Sequence, residues 1–190
     1  KEFSDEQTWA WCREGLVEAA RMAGDYGVNR RYVMYNDFLI IGPKNDPAGI
    51  RGSSDARAAL EKIARTRSVF VSRGDDSGTN KKEKALWKEA GINPQGDWYK
   101  AAGQGMGKVL LMTDELHGYT LVDRATWLAH QKEAAGMKAL VEGDGALFNP
   151  YAVIVVSPAK YPHVNHRLAE AFAGFLRGAE GQTLIRDFGK

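Results

Sequence analysis

The stretch Ser72-Arg73-Gly74-Asp75-Asp76-Ser77-Gly78-Thr79 carries the residue types needed to hold an oxyanion. Arg73 is a permanently charged planar fork that can donate two parallel hydrogen bonds. Ser72, Ser77 and Thr79 add hydroxyl donors, and Gly78 lets the backbone come close. The apolar run Val69 to Val71 before the stretch and the helical pattern after it predict a strand that ends in a polar turn and opens a helix. The first N–H groups of such a helix favour an anion by hydrogen bonding and by the helix dipole. Asp75 and Asp76 would repel a dianion, so they are expected to orient Arg73 or cap the helix rather than to touch the ligand.

A second glycine-rich turn, Gly103-Gln104-Gly105-Met106-Gly107, precedes the helical pattern Val109, Leu110, Met112 and Leu116. Backbone N–H groups at Gly105 and Met106, with the Gln104 amide, could meet the same anion from another side. Tyr119 joins the candidate set and has two readings. It faces the ligand, or it is a buried strand aromatic whose hydroxyl finds a partner. Asp123 and Arg124 read as a helix cap and a surface ion pair. Asn36-Asp37, inside an otherwise apolar run, reads either as a turn or bulge before the strand or as a ligand contact.

These residues need elements to position them. Residues 4 to 23 show helical spacing at Trp9, Cys12, Leu16, Ala19, Ala20 and Ala23, with Trp9 and Trp11 expected to pack. Tyr32 to Gly42 ends in Phe38-Leu39-Ile40-Ile41 and predicts a buried strand. Ser53 or Ser54 is expected to cap a helix whose inner face is Ala56, Ala59, Leu60 and Ile63. Asn80 to Ala90 is predicted helical, with Glu83 reaching back as in a capping box, solvated Lys81 and Lys82, and Gly91 at the C-terminal end. Pro150 to Val156 predicts a central buried strand, and Leu168, Phe172, Phe175 and Leu176 the apolar face of a helix. Strands alternating with helices imply a mixed or parallel α/β sheet.

Composition narrows the function classes. With 190 residues, 44% hydrophobic and 26% charged, the chain is globular rather than disordered, and its apolar runs are far too short to span a bilayer. A net charge of only +2, with cations and anions interspersed, gives no footprint for nucleic acid. Anion binding must therefore be local. The single Cys12 excludes an internal disulfide and cannot by itself make a cation site. Lys1 to Asp5 lacks the apolar core of a secretion signal, as would a processed mature chain. A hydrolase using Ser72 or Ser77 as nucleophile, with His117, His130, His163 or His166 as base, is disfavoured because no Gly-x-Ser-x-Gly elbow surrounds either serine.

The two turns, together with Val33-Met34-Tyr35-Asn36-Asp37-Phe38 upstream, resemble the tungstate-binding proteins of bacterial ABC importers over about Tyr26 to Lys190. The resemblance implies a type II periplasmic-binding-protein-like α/β fold: two lobes with mixed sheets flanked by helices. Residues 1–68 with 150–190 would form the first lobe and 69–149 the second, with Ser72 to Thr79 and Gly103 to Gly107 on the cleft side of the latter. The family's first-lobe run of threonine and serine is missing from the front of this chain, so that lobe is expected to be incomplete. The function implied is extracytoplasmic capture of tungstate by a monomer that delivers it to a membrane permease, without cofactor or catalysis. Molybdate, sulfate or phosphate is the alternative ligand, and an interaction domain without ligand the alternative role.

Overall fold

The computed structural model describes residues 26–187, so the expected helix over residues 4 to 23, with Trp9, Trp11 and Cys12, lies outside the described residues. The described chain falls into two compact units, residues 36–148 and residues 26–35 with 149–187. The first crossing thus comes at Asn36, earlier than the expected one near Thr66 to Val69. The reason is packing: Phe38, Ile40, Ile50, Leu60 and Ile63 share one core with Phe70, Leu86 and Tyr119.

The larger unit is a sheet covered on both faces. Strand β1 (Gly27–Pro43) pairs antiparallel with β4 (Thr120–Asp123) and with β5 (Met137–Val141), with a register shift at Ile40/Ile41. Strands β2 (Phe70–Ser72) and β3 (Tyr99–Ala101) pair in parallel, and a parallel bridge from Phe70 to Tyr119 joins them to the strand that becomes β4. From Phe38 to Pro43 both faces of β1 are buried, which explains the unbroken apolar run Phe38 to Ile41. Phe38 and Ile40 point into a core with α1 (Ala56–Thr66) and α2 (Gly78–Glu89). Leu39 and Ile41 point the other way, toward α3 (Met106–Glu115) and Trp127 of α4 (Arg124–His130). The mixed α/β architecture is the one expected.

Local chemistry sets the ends of the helices. Asp55, rather than Ser53 or Ser54, caps α1 by accepting from the N–H groups of Arg57 and Ala58, while the predicted inner face is fully buried. Helix α2 ends in a Schellman motif: Gly91 at φ 70° donates to Lys88, and Ile92 donates to Trp87. Asn36-Asp37 makes neither turn nor bulge, since β1 runs straight through both residues.

In the smaller unit, β6 (Phe148–Val156) pairs with β1, and α5 (His166–Arg177) packs on α6 (Ala179–Asp187). Glu170 of α5 meets Arg31 at 2.6 Å and accepts from Asn29 at 2.8 Å, and these two donors hold its carboxyl below its ordinary range. Two expectations need correction here. Strand β6 is only partly covered, with Val155 buried but Tyr151 and Val156 exposed. On α5 the buried residue is Ala173, whereas the apolar positions Leu168 and Phe172 are 58% and 59% exposed.

Candidate anion site

The site is assembled by strand direction. Strands β2 and β3 are parallel and in register, with Phe70 opposite Tyr99 and Ser72 opposite Ala101, so they end level with each other. The Ala102 N–H donates to the Ser72 carbonyl at 2.9 Å and continues the pairing past the strand ends. The turns 73–77 and 102–105 therefore leave the sheet side by side, and α2 and α3 both start at this end of the strands, on opposite faces of the sheet. Carboxyl ends of adjacent parallel strands are where open α/β sheets place their ligands.

Within the first turn, Arg73 donates through Nε at 3.0 Å and Nη2 at 2.6 Å to one oxygen of Asp75. The other Asp75 oxygen accepts from the Ser77 N–H at 3.2 Å. Hydrogen bonds from Ser77, then from Arg73, hold the Asp75 carboxyl down at about 2. Asp75 thus orients the guanidinium, the supporting contact expected of it, and leaves Nη1 of the fork for another acceptor. Asp76 makes long surface pairs to Lys81 and Lys84, at 3.4 and 3.8 Å. Ser77 caps α2 by accepting from the Asn80 N–H, and its hydroxyl side also bears on the Asp75 carboxyl.

Glycine is used here in two ways. Gly74, at φ 63°, lies so close to the second turn's strand that a Cβ would come within 2.9 Å of the Ala101 side chain. Gly78 has no such constraint: its φ is not positive and a Cβ would meet nothing within 4 Å. Neither conformation nor packing demands glycine at the first position of α2, so the backbone is bare toward open space. Gly105 at the start of α3 is equally open, and no side chain caps that helix. Gln104 is exposed and its carbonyl oxygen accepts from Lys108 at 3.3 Å. The Met106 side chain is core, packed with Leu39, Val71 and Val109, so only its backbone belongs to the site.

Two expected contacts are not at the site surface. Ser72 is 1% exposed; its hydroxyl donates to Glu83 and accepts from the Asn80 amide at 3.0 Å. Tyr119 is fully buried, donates to Asp46 at 2.9 Å and accepts from the Ala48 N–H at 2.9 Å. Its ring lies level with Phe70, and its hydroxyl reaches the loop after β1, at the opposite end of the sheet from the two turns. Burial and the nearby Asp46 push its phenol well above the ordinary range. Asp37 is committed too, accepting both arms of Arg124 at 2.6 Å, with Glu142 on the same guanidinium at 2.8 Å.

Sequence reasoning missed what lies beneath the first turn. Glu83 is 2% exposed, and its carboxylate accepts from Ser72, Asn80, Trp87 and Tyr99. It sits six residues beyond the Ser77 cap, too far along α2 for a capping box, and serves as a buried acceptor instead. Burial, then the Glu83 charge and hydrogen bond, raise the Tyr99 phenol. The Ser72 hydroxyl is engaged with Glu83 and Asn80, and the Ser77 hydroxyl accepts from the Asn80 N–H.

A family model described as a PBP superfamily domain matches residues 16–180. The chain belongs to the PBP superfamily. A curated member, the tungstate-binding protein TupA of Peptoclostridium acidaminophilum, is 48% identical over 88% of this chain. The chain spans 59% of that relative's length. Among solved structures, the tungstate ABC transporter protein of Geobacter sulfurreducens is similar at TM-score 0.77 and 46% identity, over 92% of this chain and 74% of that one. The tungstate-binding protein TupA of Desulfovibrio alaskensis matches at TM-score 0.77 and 43% identity, over 93% and 72%. These superfamily relatives are binding proteins rather than enzymes.

Proposed function

We propose that this chain captures a tetrahedral oxyanion, tungstate, outside the cytoplasm for delivery to the membrane permease of an ABC importer. The observation that carries the reading is the level ending of β2 and β3, which brings an oriented arginine and two glycine-bared helix starts to one edge. The superfamily relatives named for tungstate support that choice of anion. Arg73 would supply the charge and two of the donors. The hydroxyls of Ser77 and Thr79, the backbone of Gly78, Gly105 and Met106, and the Gln104 amide would complete the shell. Ser72 would act from inside, by holding the frame. A compact dianion gains most where donors converge on it without rearranging, and here Asp75 has already fixed the guanidinium.

The test is Arg73→Ala in a calorimetric titration with tungstate. A partly buried arginine removed from a charged hydrogen-bonded pair costs about 2 to 5 kcal/mol of binding. Tungstate affinity unchanged by the substitution would remove the reading.

A further inference from the structure

Beneath the first turn lies a buried set of hydrogen bonds centred on Glu83 and Asn80. We propose that Glu83 and Asn80 are positioning residues of the anion site, linked in a one-way relay that sets the shape of the turn 73–77. The proposal rests on the anion-site reading above. Glu83 offers only acceptor oxygens, so the Asn80 side chain must turn its NH2 toward it, at 3.2 Å. That orientation aims the other end of the amide, Oδ1, at the Asp76 N–H, which it accepts at 3.1 Å. Asp76 stands at φ 57°, a left-handed conformation uncommon for non-glycine residues, though aspartate tolerates it better than most, and the Asn80 bond holds it there. Its neighbours Asp75 and Ser77 carry the bonds that aim Arg73 and cap α2.

The direction of each bond is fixed by chemistry. Were the Asn80 amide reversed, its oxygen would face the Glu83 carboxylate and its NH2 would face the Asp76 N–H, so both contacts would become repulsive. Asn80 is 0% exposed, and water cannot substitute for either partner. The same carboxylate takes Ser72 at the end of β2 and Tyr99 of β3, the two strands that deliver the turns. One buried acceptor therefore fixes the strand ends, the helix start and the turn between them, and a fully satisfied network of this kind specifies one arrangement.

Reversing the polarity of the pair tests the relay. Glu83→Gln sets an NH2 against donors on one side or the other, Asn80 and Ser72 or Trp87 and Tyr99, and Asn80→Asp sets a carboxylate against Glu83. The double variant Glu83→Gln/Asn80→Asp restores one donor facing one acceptor and leaves an oxygen for Asp76. We expect each single variant to lose about tenfold or more of the hydrogen-exchange protection at the Asp76 amide without ligand, and about tenfold in tungstate affinity. The double variant should recover both to within about threefold. Asn80→Ala, which removes the link while Glu83 keeps its other donors, is the check should a single variant fail to fold; it should lose Asp76 protection and affinity with the helix intact. Unchanged Asp76 protection in the single variants or in Asn80→Ala overturns the relay, as does a double variant that regains stability but not affinity. Failure of the anion reading itself shows separately, as an Arg73→Ala protein that binds tungstate normally.

Discussion

In the proposed anion site Asp75 would both oppose and enable capture. Its charge repels a dianion, yet its two bonds to Arg73 keep the guanidinium from wandering. Its carboxyl is held down at about 2, so its folded pKa lies below the unfolded one. The contribution to the turn is therefore fully present above about pH 4 and is lost as the pH falls toward about 2. A carbon-detected NMR titration of Asp75 should find its midpoint near that lower value in the wild type and nearer the ordinary carboxylate range in Arg73→Ala. Tyr119 makes the contrasting case. Tyr119→Phe removes a buried hydroxyl that serves Asp46 and Ala48, at a cost of about 1 to 3 kcal/mol in denaturant unfolding. Tungstate affinity should not change, because that hydroxyl lies at the far end of the sheet.

At the scale of elements, the helix starts carry the chemistry. Gly78 opens α2 at an ordinary backbone angle with open space beside it. Gly78→Ala should thus leave folding stability unchanged or raise it by about 0.5–1 kcal/mol, as alanine does in place of a helical glycine. Tungstate affinity should fall about tenfold, since the added methyl group stands where the backbone meets the anion. Thermal melts and titrations of the same sample separate the two effects; an alanine variant that binds as well as the wild type would show that the bare backbone has no part in binding. Much of this was legible in sequence. Leu39-Ile40-Ile41 announces a buried strand, and the pattern from Asn80 a helix, which in the structure starts two residues earlier, at Gly78. Strand β3 was not legible, because Tyr99-Lys100-Ala101 is three residues of mixed character with no alternation to read. Nor was Glu83: a charged residue on a lysine-rich helix looks solvated until tertiary packing brings Ser72, Trp87 and Tyr99 to it.

At the scale of the molecule, the two units differ in how well they cover their apolar residues. The larger unit buries nearly all of its apolar strand and helix faces in two cores. In the smaller one, Leu168, Phe172, Phe175 and Leu184 of α5 and α6 stand exposed, although their spacing is that of a packed face. Exposed apolar area of this kind binds hydrophobic dyes from water. The folded chain should therefore enhance anilinonaphthalene sulfonate fluorescence, and Leu168→Glu with Phe172→Glu should lower the signal while tungstate affinity holds. A dye signal that these substitutions leave untouched would show that the face is covered.

The most direct test of the central claim is a calorimetric titration of this chain with tungstate, repeated with molybdate and sulfate as competitors. The arrangement of Arg73, Ser77, Thr79 and the two helix starts predicts saturable one-to-one binding of tungstate. Absence of any heat from tungstate, in a protein shown to be folded, would contradict it.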